Sequence, residues 1–206
     1  MMGGVGCGHT QTKLTEGRIV YEVKYPNSIN KHYIDSSMLK QEIVWFKRKI
    51  EKIDWIVNDS IEYSTLYDIK AKIITMIMKY PKGNLAIISN EEDYERGMGK
   101  PPKGVFKYTS DTKMICGYKC NKAEYLATGD TTKHYVYYTK EITFKIPYFL
   151  KNPFEGLEGF PMEYNTNYGN AQTTTLVTSV CFDKIDDSIF EIPKGYEKIY
   201  PYKKKK

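Results

Sequence analysis

Between Gly17 and Cys181 the chain is written as short runs in which apolar and polar residues alternate, and Gly, Pro, Asn and Asp fall between the runs. A period of two sends successive side chains to opposite faces of a strand, so each run reads as a half-buried strand and each break as a turn. From Arg18 to Tyr25, Ile19, Tyr21, Val23 and Tyr25 point one way while Arg18, Glu22 and Lys24 point the other. Pro26 and Asn27 end that strand, and residues 27–37 are polar and read as a loop.

The stretch from Met38 to Asn58 admits two periods. Leu39, Ile43, Phe46 and Ile50 could mark a helical face, whereas Ile43, Trp45, Ile53, Trp55 and Val57 share one parity. The parity favours a hairpin turning near Lys47–Lys49, with those five residues on one face. A second hairpin follows. Ile61, Tyr63, Thr65 and Tyr67 lead through 68–72 to Ile74, Met76, Met78 and Tyr80, closed by Pro81-Lys82-Gly83. Leu85–Ile88 reads as a short strand, and Asn90 before Glu91-Glu92-Asp93 as the N-cap of a helix over 91–96. After a loop at 97–104, strands are expected near 113–127, 133–144, 160–167 and 171–182, with one turn of helix at 186–190 before Pro193. Nothing resembles strand–helix–strand alternation or a fixed repeat, so a large antiparallel sheet is expected. The composition agrees: 19 Tyr, 8 Phe and 2 Trp suit a pleated surface.

At 206 residues the chain can bury a core without metal or disulfide, and one domain over 17–202 is expected, between a flexible leader at 1–16 and a lysine tail at 203–206. The tail supplies four of the six net positive charges, leaving the rest too nearly neutral for a nucleic-acid surface. It reads as a solvated end, the alternative being attraction to anionic lipid at ~1 kcal/mol per lysine. No apolar run approaches the ~18 residues of a membrane span, and no signal peptide is legible. Gly4-Val5-Gly6-Cys7 is similar to the end of a lipobox, which makes Cys7 a candidate for lipidation; the other reading is an incidental cysteine in the leader. Cys116 and Cys120 read as buried free thiols, since a regular strand would hold them ~13 Å apart and a bridge would require Gly117 to fold the chain back.

Enzymatic signatures fail one by one. Gly97-Met98-Gly99-Lys100 lacks the first glycine and the Ser or Thr of a phosphate loop. No Gly-x-Ser-x-Gly is present, and the acidic clusters lack the spacing of a calcium loop. His134 opens a tyrosine-rich strand and reads as structural; a hydrolase built from it and a distant carboxylate is the weakest alternative. No catalytic residue, metal or cofactor is expected. Trp45, Trp55, Met76 and Met78 are large, soft side chains that suit either an ordinary core or a cavity for an adaptable apolar ligand.

Six phrases occur in a familiar order. They are Gly17–Val23, Tyr67–Lys72, Ile115–Cys120, Tyr137–Glu141, Gly159–Tyr164 and Phe190–Tyr196. Together they resemble the GLPGLI-like envelope proteins and their sister domain of unknown function, relatives of the LolA/LolB lipoprotein-carrier superfamily. The name-giving motif is replaced here by Gly156-Leu157-Glu158-Gly159-Phe160-Pro161, which favours the sister branch. The resemblance implies a mainly β, LolA-like fold: a strongly curved antiparallel sheet, an open half barrel, wrapped over a few short helices. It also implies a periplasmic or outer-membrane-attached setting, consistent with lipidation at Cys7, and no catalytic residues. On that fold the expected function is non-enzymatic binding of a lipid or apolar small molecule on the concave face, lined by Trp45, Trp55, Met76, Met78 and Tyr137. The alternative is an envelope protein-interaction module with a filled core.

Overall fold

In the computed structural model, residues 15–26, 38–58, 61–80, 83–98, 104–127, 132–142, 154–168 and 171–201 are described. Among them every strand belongs to one sheet. A first meander runs through β1 (Glu16–Lys24), β2 (Gln41–Lys47), β3 (Ile50–Asn58), β4 (Ile61–Asp68), β5 (Ile73–Tyr80) and β6 (Gly83–Asn90). Helix α1 (Glu91–Met98) follows, then a second meander of β7 (Gly104–Ile115), β8 (Tyr118–Ala127), β9 (His134–Thr139), β10 (Phe160–Tyr168) and β11 (Ala171–Cys181). The meanders join where β1 pairs with β11, and β12 (Glu197–Ile199) closes the far edge parallel to β6. The order β12-β6-β5-β4-β3-β2-β1-β11-β10-β9-β8-β7 leaves the sheet open.

The expected mainly β, open antiparallel architecture is therefore present, with α1 the one α-helix lying wholly among the described residues where a few short ones were anticipated. The curl of the second meander is visible in one contact. Cys116, in the β7–β8 turn, donates its thiol to the Val177 carbonyl of β11 at 3.3 Å. β8 and β11 are three ladders apart, which a flat sheet would hold at ~14 Å. A bulge between Val20 and Tyr21 shifts the β1–β11 register at that level, where a ladder is locally disrupted.

The sheet's two faces have different cover. One, the core face, carries Ile19, Tyr21, Val44, Phe46 and Ile53 from the first meander and Ala123, Tyr125, Val136, Tyr164 and Val177 from the second. Phe154 plugs this face, its ring edge-on to Tyr164 at 4.7 Å and to Tyr125 at 5.7 Å. Gly17 is required here: a Cβ would stand 2.6 Å from the Cys181 carbonyl oxygen and 2.8 Å from Phe46 Cζ. The opposite face of β2–β4 is crossed by the segment between β11 and β12, a strap whose Ile185 and Phe190 pack on Leu66, with Trp45, Ile50 and Ile189 beside them. Lys47 pins the strap, donating to the Ile185 carbonyl at 2.7 Å and meeting Asp187 at 2.6 Å and Glu16 at 3.6 Å.

Local chemistry explains the punctuation. Asn90 caps α1, its Oδ1 accepting from the Asp93 N–H at 2.8 Å, and Arg96 ties back to Asp93 and Glu92. Asp186 caps the 3-10 turn Asp187–Phe190 through the Ser188 N–H. One sequence expectation needs correction: 113–127 is two strands of a hairpin. Cys116 at φ 50° and Gly117 at φ 83° adopt the left-handed conformation that folds the chain back, and β7 begins at Gly104. The loop at 27–37 and the turn at 81–82 lie outside the described residues.

Candidate functional site

Register decides which side chains meet, because directly opposed residues share a face. Across the first meander one row runs Tyr21, Glu42, Trp55, Tyr63, Met78, Leu85, one residue from each of six consecutive strands. The row beside it runs Ile19, Val44, Ile53, Thr65, Met76, Ile87. Both lie on the core face. Their β1 and β2 ends are sunk in the core, with Ile19, Tyr21 and Val44 fully buried. Towards β6 the cover thins, and Trp55, Tyr63, Met76, Met78, Leu85 and Ile87 are only half-buried. Trp55 and Tyr63 stack at 5.5 Å, a rigid aromatic pair beside two flexible thioethers.

Of the five residues expected to line a ligand site, the structure brings Trp55, Met76 and Met78 together. Trp45 and Tyr137 stand on the opposite face. The β2–β3 turn contains two residues, Arg48 and Lys49, so partners such as Val44 and Ile53 have numbers of opposite parity. Residues of equal parity on the two strands then face apart, and Ile43 and Trp45 part from Ile53, Trp55 and Val57. Trp45 serves the strap instead, with its indole N–H donating to Asp54 at 2.7 Å and the Arg18 guanidinium 5.4 Å above its ring. Tyr137 opposes Glu163 and Lys122, and the Lys113 ammonium, paired with Glu163 at 2.5 Å, lies 4.0 Å from its ring centre.

Glu42 is the residue sequence reading missed. It sits between Tyr21 and Trp55 in the row, keeps part of its surface open, and accepts hydrogen bonds from the Tyr164 hydroxyl, at 3.4 Å, and from Trp55. Burial raises its carboxyl to about 7, against which these two hydrogen bonds work. Desolvation, with the Glu42 charge added, drives the Tyr21 and Tyr164 phenols well above their usual range. At the α1 end of the same face, burial first and then Glu91 push Tyr67 up to about 12. The available signal was Glu42 breaking the apolar parity of Val44 and Phe46 on a strand otherwise patterned for burial.

His134 is buried and its ring stacks on Tyr125 at 5.1 Å. Cys116, Cys120 and Cys181 are free thiols, but only Cys120 is buried; Cys116 is exposed because it occupies a turn. Among the described residues no group of three or more His, Cys, Asp or Glu is placed to hold a metal ion. No described helix is long and apolar enough to cross a membrane. Cys7 and the lysine tail lie outside the described residues.

No family model matches this chain, and no curated protein matches it. Two solved structures of PNGF-II, in different space groups, align with 90% of the chain at 16% and 17% identity, with TM-scores of 0.51 and 0.49. The better superposition shows a similar fold and nothing more. The chain spans less than a third of the length of PNGF-II, 31% and 30% in the two structures. LprF from Mycobacterium bovis aligns over 90% of this chain and 91% of its own at 10% identity, but its TM-score of 0.37 is too low to carry an argument.

Proposed function

We propose that this chain is a non-enzymatic binding protein that holds a lipid or another apolar ligand on the core face of its first meander. The observation that supports the reading is the strip of half-buried Trp55, Tyr63, Met76, Met78, Leu85 and Ile87, continuous with a closed core at one end. Methionines repack around ligands of different shape, while stacked aromatics supply area at small entropic cost. Trp45 and Tyr137, on the other face, leave the proposed lining, and Tyr63 and Leu85 join it. The periplasmic or outer-membrane-attached setting, with a lipid anchor at Cys7, belongs to the same proposal and rests on the resemblance to GLPGLI-like envelope proteins.

Native mass spectrometry of the full chain purified from its host, before and after organic extraction, tests the reading. Extra mass that extraction removes and that identifies as lipid is the expected result. A clean protein mass under gentle conditions sinks it. That outcome favours a protein-interaction module of the envelope, a second reading supported by the exposed side chains of Val105, at 74%, Met114, at 64%, and Leu126, at 42%, on the β7–β8 hairpin.

A further inference from the structure

The apolar strip has a carboxyl group at its closed end. From Glu42 the row continues through Trp55, Tyr63 and Met78 to Leu85 without another ionisable acid or base except the Tyr63 phenol. Three ladders separate Trp55 from Leu85, a length of ~14 Å at ordinary strand spacing. The groups acting on Glu42 are Tyr21 from β1, Trp55 from β3 and Tyr164 from β10, all aromatic. A carboxylate walled by aromatic rings is the pairing that favours a cation, through charge and through the ring faces together. An anionic head at the same place would set two like charges side by side in a poorly solvated site.

We infer that the ligand is a single-chain amphiphile with a protonated amine head, the head meeting Glu42 beside Tyr21, Trp55 and Tyr164 and the chain lying along Tyr63, Met78 and Leu85. This rests on the apolar-ligand reading above and adds the head group to it. Binding draws the carboxyl into its ionised form, so a proton leaves when the ammonium arrives at a pH where Glu42 is still partly protonated. Affinity for the amine therefore falls as the pH drops below about 7.

The test is isothermal titration calorimetry of the full chain with dodecylamine and dodecanol, each below its aggregation concentration, at pH 8 and pH 6. The amine is expected to bind at least about tenfold tighter than the alcohol at pH 8, the scale of one charge-assisted contact. Glu42→Gln, its fold checked by near-ultraviolet circular dichroism, should abolish the preference for the amine over the alcohol. Repeating the titration at pH 7 in buffers of different ionisation enthalpy should reveal proton release in the native chain and none in the variant. Equal binding of the two probes, tighter binding of the alcohol, or an amine preference that survives Glu42→Gln overturns the head-group inference and leaves the apolar-ligand reading standing. Failure of both probes to bind overturns the two together.

Discussion

The Tyr21 hydroxyl donates a buried hydrogen bond to the Pro161 carbonyl at 3.0 Å, linking β1 to β10 across the intervening β11. The Tyr21 and Tyr164 rings meet at 6.2 Å in the same region. Tyr21→Phe keeps the ring and leaves the carbonyl without this donor, so it should destabilise the fold by about 1–3 kcal/mol. Urea unfolding should show a lower midpoint at an unchanged slope. An unchanged midpoint would mean that Pro161 finds another partner.

Glu42 makes stability depend on pH in an unusual sense. Its folded value, about 7, lies above the ordinary carboxyl value of 4.5, so the folded state holds the proton more tightly than the unfolded chain. Its contribution is fully present below 4.5 and is lost as the pH rises towards 7, then stays level. The native chain should therefore lose about 1–3 kcal/mol relative to Glu42→Gln over that interval. Paired denaturant titrations at pH 5 and pH 8 measure the difference, and parallel pH profiles would refute it.

The strap should loosen without unfolding the sheet. Phe190 is buried against Leu66 and Ile185, and Phe190→Ala should cost about 3–5 kcal/mol, the usual scale for a buried ring. Lys47→Met removes the pin to Asp187 and the Ile185 carbonyl. Hydrogen exchange should then quicken at the Ile185 amide, which bonds to Glu16 at 3.0 Å, while β1–β11 amides keep their protection. Uniform acceleration across the sheet would contradict a separable strap.

Gly17→Ala tests a close approach of backbone within the core. The added methyl collides with backbone at Cys181, which cannot swing aside as a side chain can, so a loss of about 1–3 kcal/mol is expected. Gly117→Ala meets open space and carries only the strain of its positive φ, about 1–2 kcal/mol. Thermal unfolding of both variants compares steric cost with conformational cost directly.

Strand existence was legible because alternation is a local property. Ile19, Tyr21 and Val23 announce their shared face without reference to anything distant. The equal-parity argument for Trp45 and Trp55 failed because facing depends on the number of turn residues, and Arg48-Lys49 did not state their own geometry; Arg48 adopts φ 54° with no glycine to signal it. The Cys116-Gly117 reversal was hidden similarly, since half of the turn is a cysteine. β12 could not be read at all: three exposed or half-exposed residues find their strand only because β6 offers an edge. Glu42 was overlooked for the same reason, as its neighbours Trp55 and Tyr164 arrive from other strands.

The parallel pairing of β12 with β6 has a consequence for self-association. An open sheet ends in two rows of unpaired peptide groups, each able to template another chain. On one side three residues, Glu197–Ile199, occupy the β6 edge at Leu85–Ile87. On the other, β7 departs from regular pairing between Tyr108 and Thr112 and carries Lys107 and Lys113, a bend and two charges that discourage a straight partner. The strap is thus a cover and β12, which follows it, a guard: a chain shortened before Glu197 would keep its core and lose the cap on one end of the sheet, and its hazard would be polymerisation.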